Sequence, residues 1–355
     1  MNTVSTSRDV GIDALRIVCM VMVLMLHILD ATGALTKGMS VNYIGAWGLE
    51  FLCYSAVNCF VLISGYVGFG RKHRKSKILL SWLQVLFYAV ASLLVFLVLK
   101  PGVISGKIIL KSLLPVTSEA YWFYTVYFAL LFAMPLLDHL IETLPEKQLK
   151  RSMVVFGALF SVGSILSSGT IFGLNVGGGL IWFIYLYSLG AYFKKYDPFR
   201  NISRKVFAIL FGASVLMQLG YRVIIELVTV RLFGAPKGGG ALLYYCNVLV
   251  LVQAVCLFFL FRNYYTGKAW GKVVNKLGML FFGVYLFHAN TLIWVNLLKP
   301  MVHSIYCEKL WFTLFVLPLL AAAIYFAGVG IEWVRLKLFK LCKIDSFISR
   351  RWSDK

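Results

Sequence analysis

Charge is scarce in this sequence, and acid is scarcer still. Charged residues make up 14% of the 355 positions, with 14 Asp or Glu against 35 Lys or Arg. Soluble domains carry about 25% charge and roughly 45–50% apolar residues. A hydrophobic content of 60% and a mean hydropathy of +0.83 therefore exclude an ordinary soluble protein. No polar linker, internal repeat or low-complexity tract divides the chain. The seven cysteines (Cys19, Cys53, Cys59, Cys246, Cys256, Cys307 and Cys342) show no CxxC spacing, which argues against a metal site or a disulfide framework. Most fall inside apolar runs, where a thiol serves as a small apolar group. No small-residue cleavage site follows the first apolar run, which reads as an uncleaved signal anchor.

What is present is a succession of apolar runs near the length that a hydrocarbon core of about 30 Å demands of a helix. They fall at 12–35, 43–67, 78–99, 120–140, 152–171, 178–193, 206–228, 242–261, 277–298 and 310–331. The expectation is an all-α, polytopic membrane protein of about ten transmembrane helices. A single membrane domain over 1–335 would be followed by a basic tail over 336–355. The net charge of +21 is unevenly placed. With the N-terminus inside, 26 of the 35 basic residues fall on that side: Arg8, Arg16, clusters within 71–77, 147–151, 194–205 and 262–276, and the tail to Lys355. That bias sets both termini in the cytoplasm. It accounts for the charge through topology and anionic headgroups rather than nucleic acid. The stretch 100–119 reads as a re-entrant or interfacial helix.

Ionisable groups at membrane depth are costly and tend to line cavities or ion paths. In "DALRIVCMVMVLMLH", Arg16 and His27 stand eleven residues apart. At 3.6 residues per turn they share nearly one face, roughly 16 Å apart along the axis. Asp13 is placed to pair with Arg16, and Asp30 to orient the His27 imidazole. His288, in "FFGVYLFHAN", is expected near the depth of His27. Glu50, Glu119 and Trp122 approach the same level from the outer side, while Arg222 and Glu226 read as a structural i,i+4 pair. A basic entrance below a titratable imidazole, with carboxylates and aromatics above, suits a reaction between an anionic cytoplasmic donor and an acceptor on the far side. It equally suits a proton-coupled glycan or lipid transporter. The residue types alone do not separate the two, although a transporter is expected to show matched halves with interrupted helices, and no repeat is present.

Several blocks carry a family resemblance. "GIDALRIVCMVMVLMLH", "NCFVLISGYV" ending in Ser64-Gly65-Tyr66, "EAYWFYTVYFALLFAMPLLDHLI", "IWFIYLYSLGAYFKKY" and "FFGVYLFHAN" resemble, in order, the acyltransferase-3 family of bacterial membrane acyltransferases. The resemblance implies O-acyl transfer, usually of acetyl from acetyl-CoA, to a hydroxyl of a surface glycan or its lipid-linked precursor, in the bacterial cytoplasmic membrane. His27 matches the family's essential histidine and Arg16 the arginine of the same motif. Many members carry Arg-x-x-Arg at the start of helix three. Here Arg71 and Arg74 have that spacing but lie close behind Ser64-Gly65-Tyr66, and the usual position reads "SWLQ". The resulting expectation gives Arg16, Arg71, Arg74 and Lys75 the nucleotide end of acetyl-CoA. His27 becomes general base or transiently acylated nucleophile, with Asp30 holding its tautomer. The acceptor falls to Glu119, Tyr121, Trp122, His288, Asn290 and Glu50. No metal is expected, and the partners are membrane lipid and the glycan.

Overall fold

The structure is a computed structural model describing residues 9–36, 38–263 and 268–351. Arg8 and Lys355, counted above among the inner cations, lie outside the described residues. Among these residues the regular secondary structure is helical, with no strand: it is an all-α polytopic membrane protein. The helices are α1 Val10–Thr32, α2 Val41–Cys53, α3 Ala56–Gly68, α4 Lys75–Leu99, α5 Gly106–Leu113, α6 Trp122–Thr143, α7 Glu146–Leu166, α8 Leu180–Tyr196, α9 Arg204–Phe233, α10 Val248–Phe261, α11 Lys268–Gly278 and α12 Phe281–His288. They are followed by α13 Thr291–Ile305, α14 Phe312–Leu341 and α15 Ile344–Arg351.

Seven of the described helical segments are long and apolar enough to cross a bilayer, α2 and α3 counting as one, and two bent pairs raise the number to nine. By length and composition these are seven to nine, beside the expected count of about ten. At 242–261 only the 14 residues of α10 are helical, about 21 Å at 1.5 Å per residue, short of a hydrocarbon core. Asn247 caps α10 by accepting the Leu249 N–H, and the preceding residues run as turns. The expected span at 178–193 is the unbroken α8, entered through a 77° bend from residues 171–177, while that at 277–298 is broken, bent by 56° between α12 and α13. Past residue 335 the chain stays helical, α14 running to Leu341 and α15 packing on α4. The amphipathic α5 occupies the 100–119 stretch.

α1 lies at the centre, touching α2, α3, α10, α11, α12, α13 and α14. Its start is fixed by Asp9, whose carboxylate accepts the N–H groups of Gly11 and Ile12. Its end is set by Gly33 in the left-handed conformation at φ 68°. Helices in lipid associate through packing rather than the hydrophobic effect, and small residues permit close approach. The α3–α8 crossing is built that way. A Cβ on Gly65 would fall inside the Tyr187 carbonyl, and one on Gly190 inside the Leu62 carbonyl. The end of α8 is tied to the end of α10 by Asp197 and Arg262, with Arg262 Nη1 donating to Asp197 Oδ1 at 2.6 Å. That hydrogen bond holds the Asp197 carboxyl below the usual aspartate range.

Gly65→Ala is expected to cost about 1–3 kcal/mol of stability through overpacking, read as a lowered thermal midpoint in detergent. Gly220→Ala, with open space around it, is expected to be neutral or stabilising by up to about 1 kcal/mol. Asp197→Asn is expected to lower the midpoint at pH 7 by the equivalent of at most about 1 kcal/mol, the pair being partly exposed. A depressed aspartate stabilises fully above its ordinary pKa of 3.8 and loses that contribution as pH falls through its folded value. The gap between variant and wild type is therefore expected to close towards pH 3.

Candidate functional site

Two cavities lie one above the other along α1, and α1, α3 and α6 supply walls to both. The lower, of about 330 Å³, is lined by Arg16, Ser64, Arg71, Lys72, His73, Arg74, Lys77 and Tyr127 among others. It is strongly basic, and no carboxylate lines it among the described residues. Arg16 is steered by Asp13 at 2.5 Å, and its guanidinium lies 5.8 Å from the centre of the Phe281 ring. His73 Nε2 meets Asp138 Oδ2 at 2.8 Å, and Tyr187 donates to Asp138 Oδ1 at 2.7 Å, so a buried carboxylate anchors this wall.

Arg71 and Arg74 lie in the turn before α4, and both face the lower cavity with Arg16. Lys75 does not join them. It is the first residue of α4 and borders an apolar groove with Ile78, Leu79, Trp82, Phe128 and Phe132. Lys72, His73 and Lys77 line the lower cavity instead, a set not expected from the sequence.

The upper cavity, of about 190 Å³, is lined by His27, Asp30, Met20, Phe60, Trp122, Phe123, Tyr245, Phe281, Phe282 and Tyr285 among others. Phe60 and Phe281 stack at 5.2 Å where it adjoins the lower one. The two histidines expected at one depth do meet: the His27 and His288 rings are 5.4 Å apart, edge to face, and Trp294 closes on His27 at 5.2 Å. His288 is fully buried behind His27. Its Nδ1 lies 2.7 Å from the Val284 carbonyl, which fixes that nitrogen as the donor and leaves Nε2 as an acceptor without a partner among the described residues. Trp294 begins a π-helical turn, a local widening common at functional sites.

Four expected placements differ. Asp30 makes no hydrogen bond with His27: its side chain is 75% exposed at the cavity mouth, 3.8 Å from Lys299 Nζ. Glu119 sits exposed in a turn at φ 51°, ahead of α6 and outside the cavity lining. Asn290 and Tyr121 spend their polar atoms on the chain break. Asn290 Oδ1 caps α13 by accepting the Leu292 and Ile293 N–H groups, its Nδ2 donates to the Tyr121 hydroxyl, and that hydroxyl donates to the Leu286 carbonyl. Trp122 does line the cavity. Glu50 is buried near it, and Arg222 and Glu226 form their pair at 2.5 Å, joined by Tyr43.

A further cluster escaped sequence reading. Glu332 accepts from Arg335 at 2.6 and 3.0 Å, from the Tyr88 hydroxyl at 2.8 Å and from Gln84 at 3.1 Å, all deep in the bundle. Its carboxylate packs on Gly283 so closely that no Cβ fits there, which ties α4 and α14 to the helix bearing His288. The "EWVR" stretch held the signal: an i,i+3 acid–base pair within an apolar helix. Glu332→Ala is expected to strand a buried guanidinium at a cost of about 3–5 kcal/mol, measured by thermal unfolding.

Residues 9–334 match the model of the acyltransferase-3 family, described as an acyltransferase domain. No curated protein and no solved structure matches the chain.

Proposed function

The chain belongs to that acyltransferase family, and on this premise we propose that it moves an acetyl group from cytoplasmic acetyl-CoA to a hydroxyl of an extracytoplasmic glycan or lipid-linked glycan precursor. The setting is a bacterial cytoplasmic membrane, with both termini on the cytoplasmic side as the bias of basic residues supports. One observation carries the reading: a single helix presents Arg16 to a basic cavity and His27 to an aromatic one, roughly three turns further along.

The lower cavity suits the phosphorylated nucleotide end of acetyl-CoA. Arg16, Arg71 and Arg74 offer planar, always-charged forks for phosphate oxygens, with Lys72 and Lys77 beside them. The pantetheine arm then rises between α1, α3 and α6, past Ser64 and Phe60, and sets its thioester carbonyl beside His27. His27 accepts the proton of the acceptor hydroxyl while that oxygen bonds to the carbonyl carbon. The carbon–sulfur bond breaks, and the imidazolium returns the proton to the leaving thiolate. In the covalent route the imidazole nitrogen attacks first and the hydroxyl takes the acetyl group in a second step. Both routes yield an acetyl ester and free CoA. Trp122 stands on the acceptor side, and His288 supports His27 from behind. Lys75 takes no part.

With labelled acetyl-CoA and protein in lipid, His27→Ala is expected to abolish label transfer to crude surface glycan while donor binding persists. Label retained on wild-type protein would select the covalent route. Arg74→Ala is expected to raise the KM for acetyl-CoA about tenfold or more, the loss of one charge-assisted bond, with Lys75→Ala indistinguishable from wild type. Transfer at the wild-type rate by His27→Ala would sink the proposal.

A further inference from the structure

The upper cavity is as notable for its missing charges as the lower one is for its cations. Among the described residues its lining holds one charged side chain, Asp30, and neither lysine nor arginine. Behind the rim lies Glu50, within electrostatic reach of Asp30 and of the Tyr54 and Tyr245 rings. It is only 9% exposed, and its Oε2 finds no partner among the described residues.

Beside the cavity three aromatic rings form a wall, a near-parallel stack in which Trp122 and Tyr245 line the cavity and Tyr54 backs Tyr245. Trp122 stacks on Tyr245 at 6.0 Å and Tyr245 on Tyr54 at 4.8 Å, each pair 18° from parallel. Trp122 remains 40% exposed. The wall is held from both sides of Tyr245. Its carbonyl accepts from Asn58 Nδ2 at 2.7 Å, while Asn58 Oδ1 accepts the Trp182 indole N–H at 3.0 Å. Its N–H donates to the Val176 carbonyl at 2.8 Å. Val176 is β-branched yet sits at φ 51°, with Phe172 at 55° and Asn175 at 47° in the same turn. Such strain persists where the surroundings over-determine it, and it collects at ligand clamps. Gly177 touches Tyr245 and Cys246 so closely that an added Cβ would come within 2.6 Å of the Tyr245 Cβ.

Resting on the glycan acyltransferase reading, we infer that the Trp122–Tyr245 face, backed by Tyr54 and with Asp30 at its rim and Glu50 behind it, is the acceptor subsite, and that it takes an uncharged pyranose ring and rejects rings bearing a carboxylate or phosphate. Aromatic faces carry negative charge density, so they attract the weakly positive C–H face of a sugar and repel an anion. Asp30, with Lys299 3.8 Å away on its outer side, accepts hydrogen bonds from neutral hydroxyls, and as the one charged group of the lining it adds like-charge repulsion against an acidic ring. The cavity that orients the acceptor is thus the electrostatic opposite of the one that holds the donor.

The test is equilibrium binding to the full-length protein in nanodiscs without donor. Methyl glycosides of glucose, galactose and mannose are compared with those of the corresponding uronic acids. A neutral glycoside is expected to bind about tenfold or more tightly than its acidic counterpart. Trp122→Ala is expected to lose that binding and Trp122→Phe to keep it, while Asp30→Asn narrows the gap. Equal or tighter binding of the uronic glycosides, no binding of any neutral one, or undiminished binding by Trp122→Ala would each overturn the assignment. Because donor is absent, preserved sugar selectivity with no acetyl transfer would count against acetyl-CoA as donor and leave the acceptor subsite standing.

Discussion

In hydrocarbon a polar group without a partner costs several kcal/mol, and the interior of this protein is organised by that cost. Tyr43, Arg222 and Glu226 satisfy one another, as do His73, Asp138 and Tyr187, and the Gln218–Gln253 pair bridges α9 and α10. Glu332 collects four donor contacts from three side chains. Against this background the exceptions are informative. Other buried atoms are bare as well, Trp47 Nε1, Ser161 Oγ and Gln253 Oε1 among them, but three groups stand together: His27 has no hydrogen bond within the described residues, and His288 and Glu50 each carry a bare acceptor. These three gather around one cavity, where a substrate can supply what the protein withholds.

Rigidity surrounds those exceptions. The chain break at Asn290 places His288 at the end of α12, and the π turn that follows brings Trp294 onto His27. Glu332 presses on Gly283 from the opposite flank, five residues before His288. The α3–α8 contact at Gly65 and Gly190 fixes the helix that supplies Phe60 to one cavity and Ser64 to the other. A site of this kind needs groups held within fractions of an ångström. Here the precision comes from backbone packing that no larger side chain would allow.

Helical periodicity made part of this legible. Arg16 and His27 lie on one straight helix, so their spacing alone gave their alignment, and two comparable apolar runs gave the meeting of His27 with His288. Periodicity fails where the helix does. Arg71 to Arg74 occupy a turn, so helical phase could not tell that Lys75 leaves the cavity and Lys77 enters it. The run at 242–247 is apolar enough for a helix, but Tyr245 is pinned by Asn58 and Val176, contacts distant in sequence. Asp30 lies one turn after His27, yet its side chain turns out towards Lys299. Asn290 and Tyr121 looked like ligands because a polar atom needed to close a helix break has the same composition as one offered to a sugar.

The stacked Phe60 and Phe281 rings lie where the basic cavity meets the aromatic one, with the Arg16 guanidinium against Phe281. Beside them Phe123 stacks on Tyr127, one ring lining each cavity. A membrane holding a voltage is a capacitor, and a protein hollowed from both faces thins its dielectric to whatever remains in the middle. Here that remainder is a few aromatic rings. They keep an enzyme that must pass an acyl group from becoming a wire for protons.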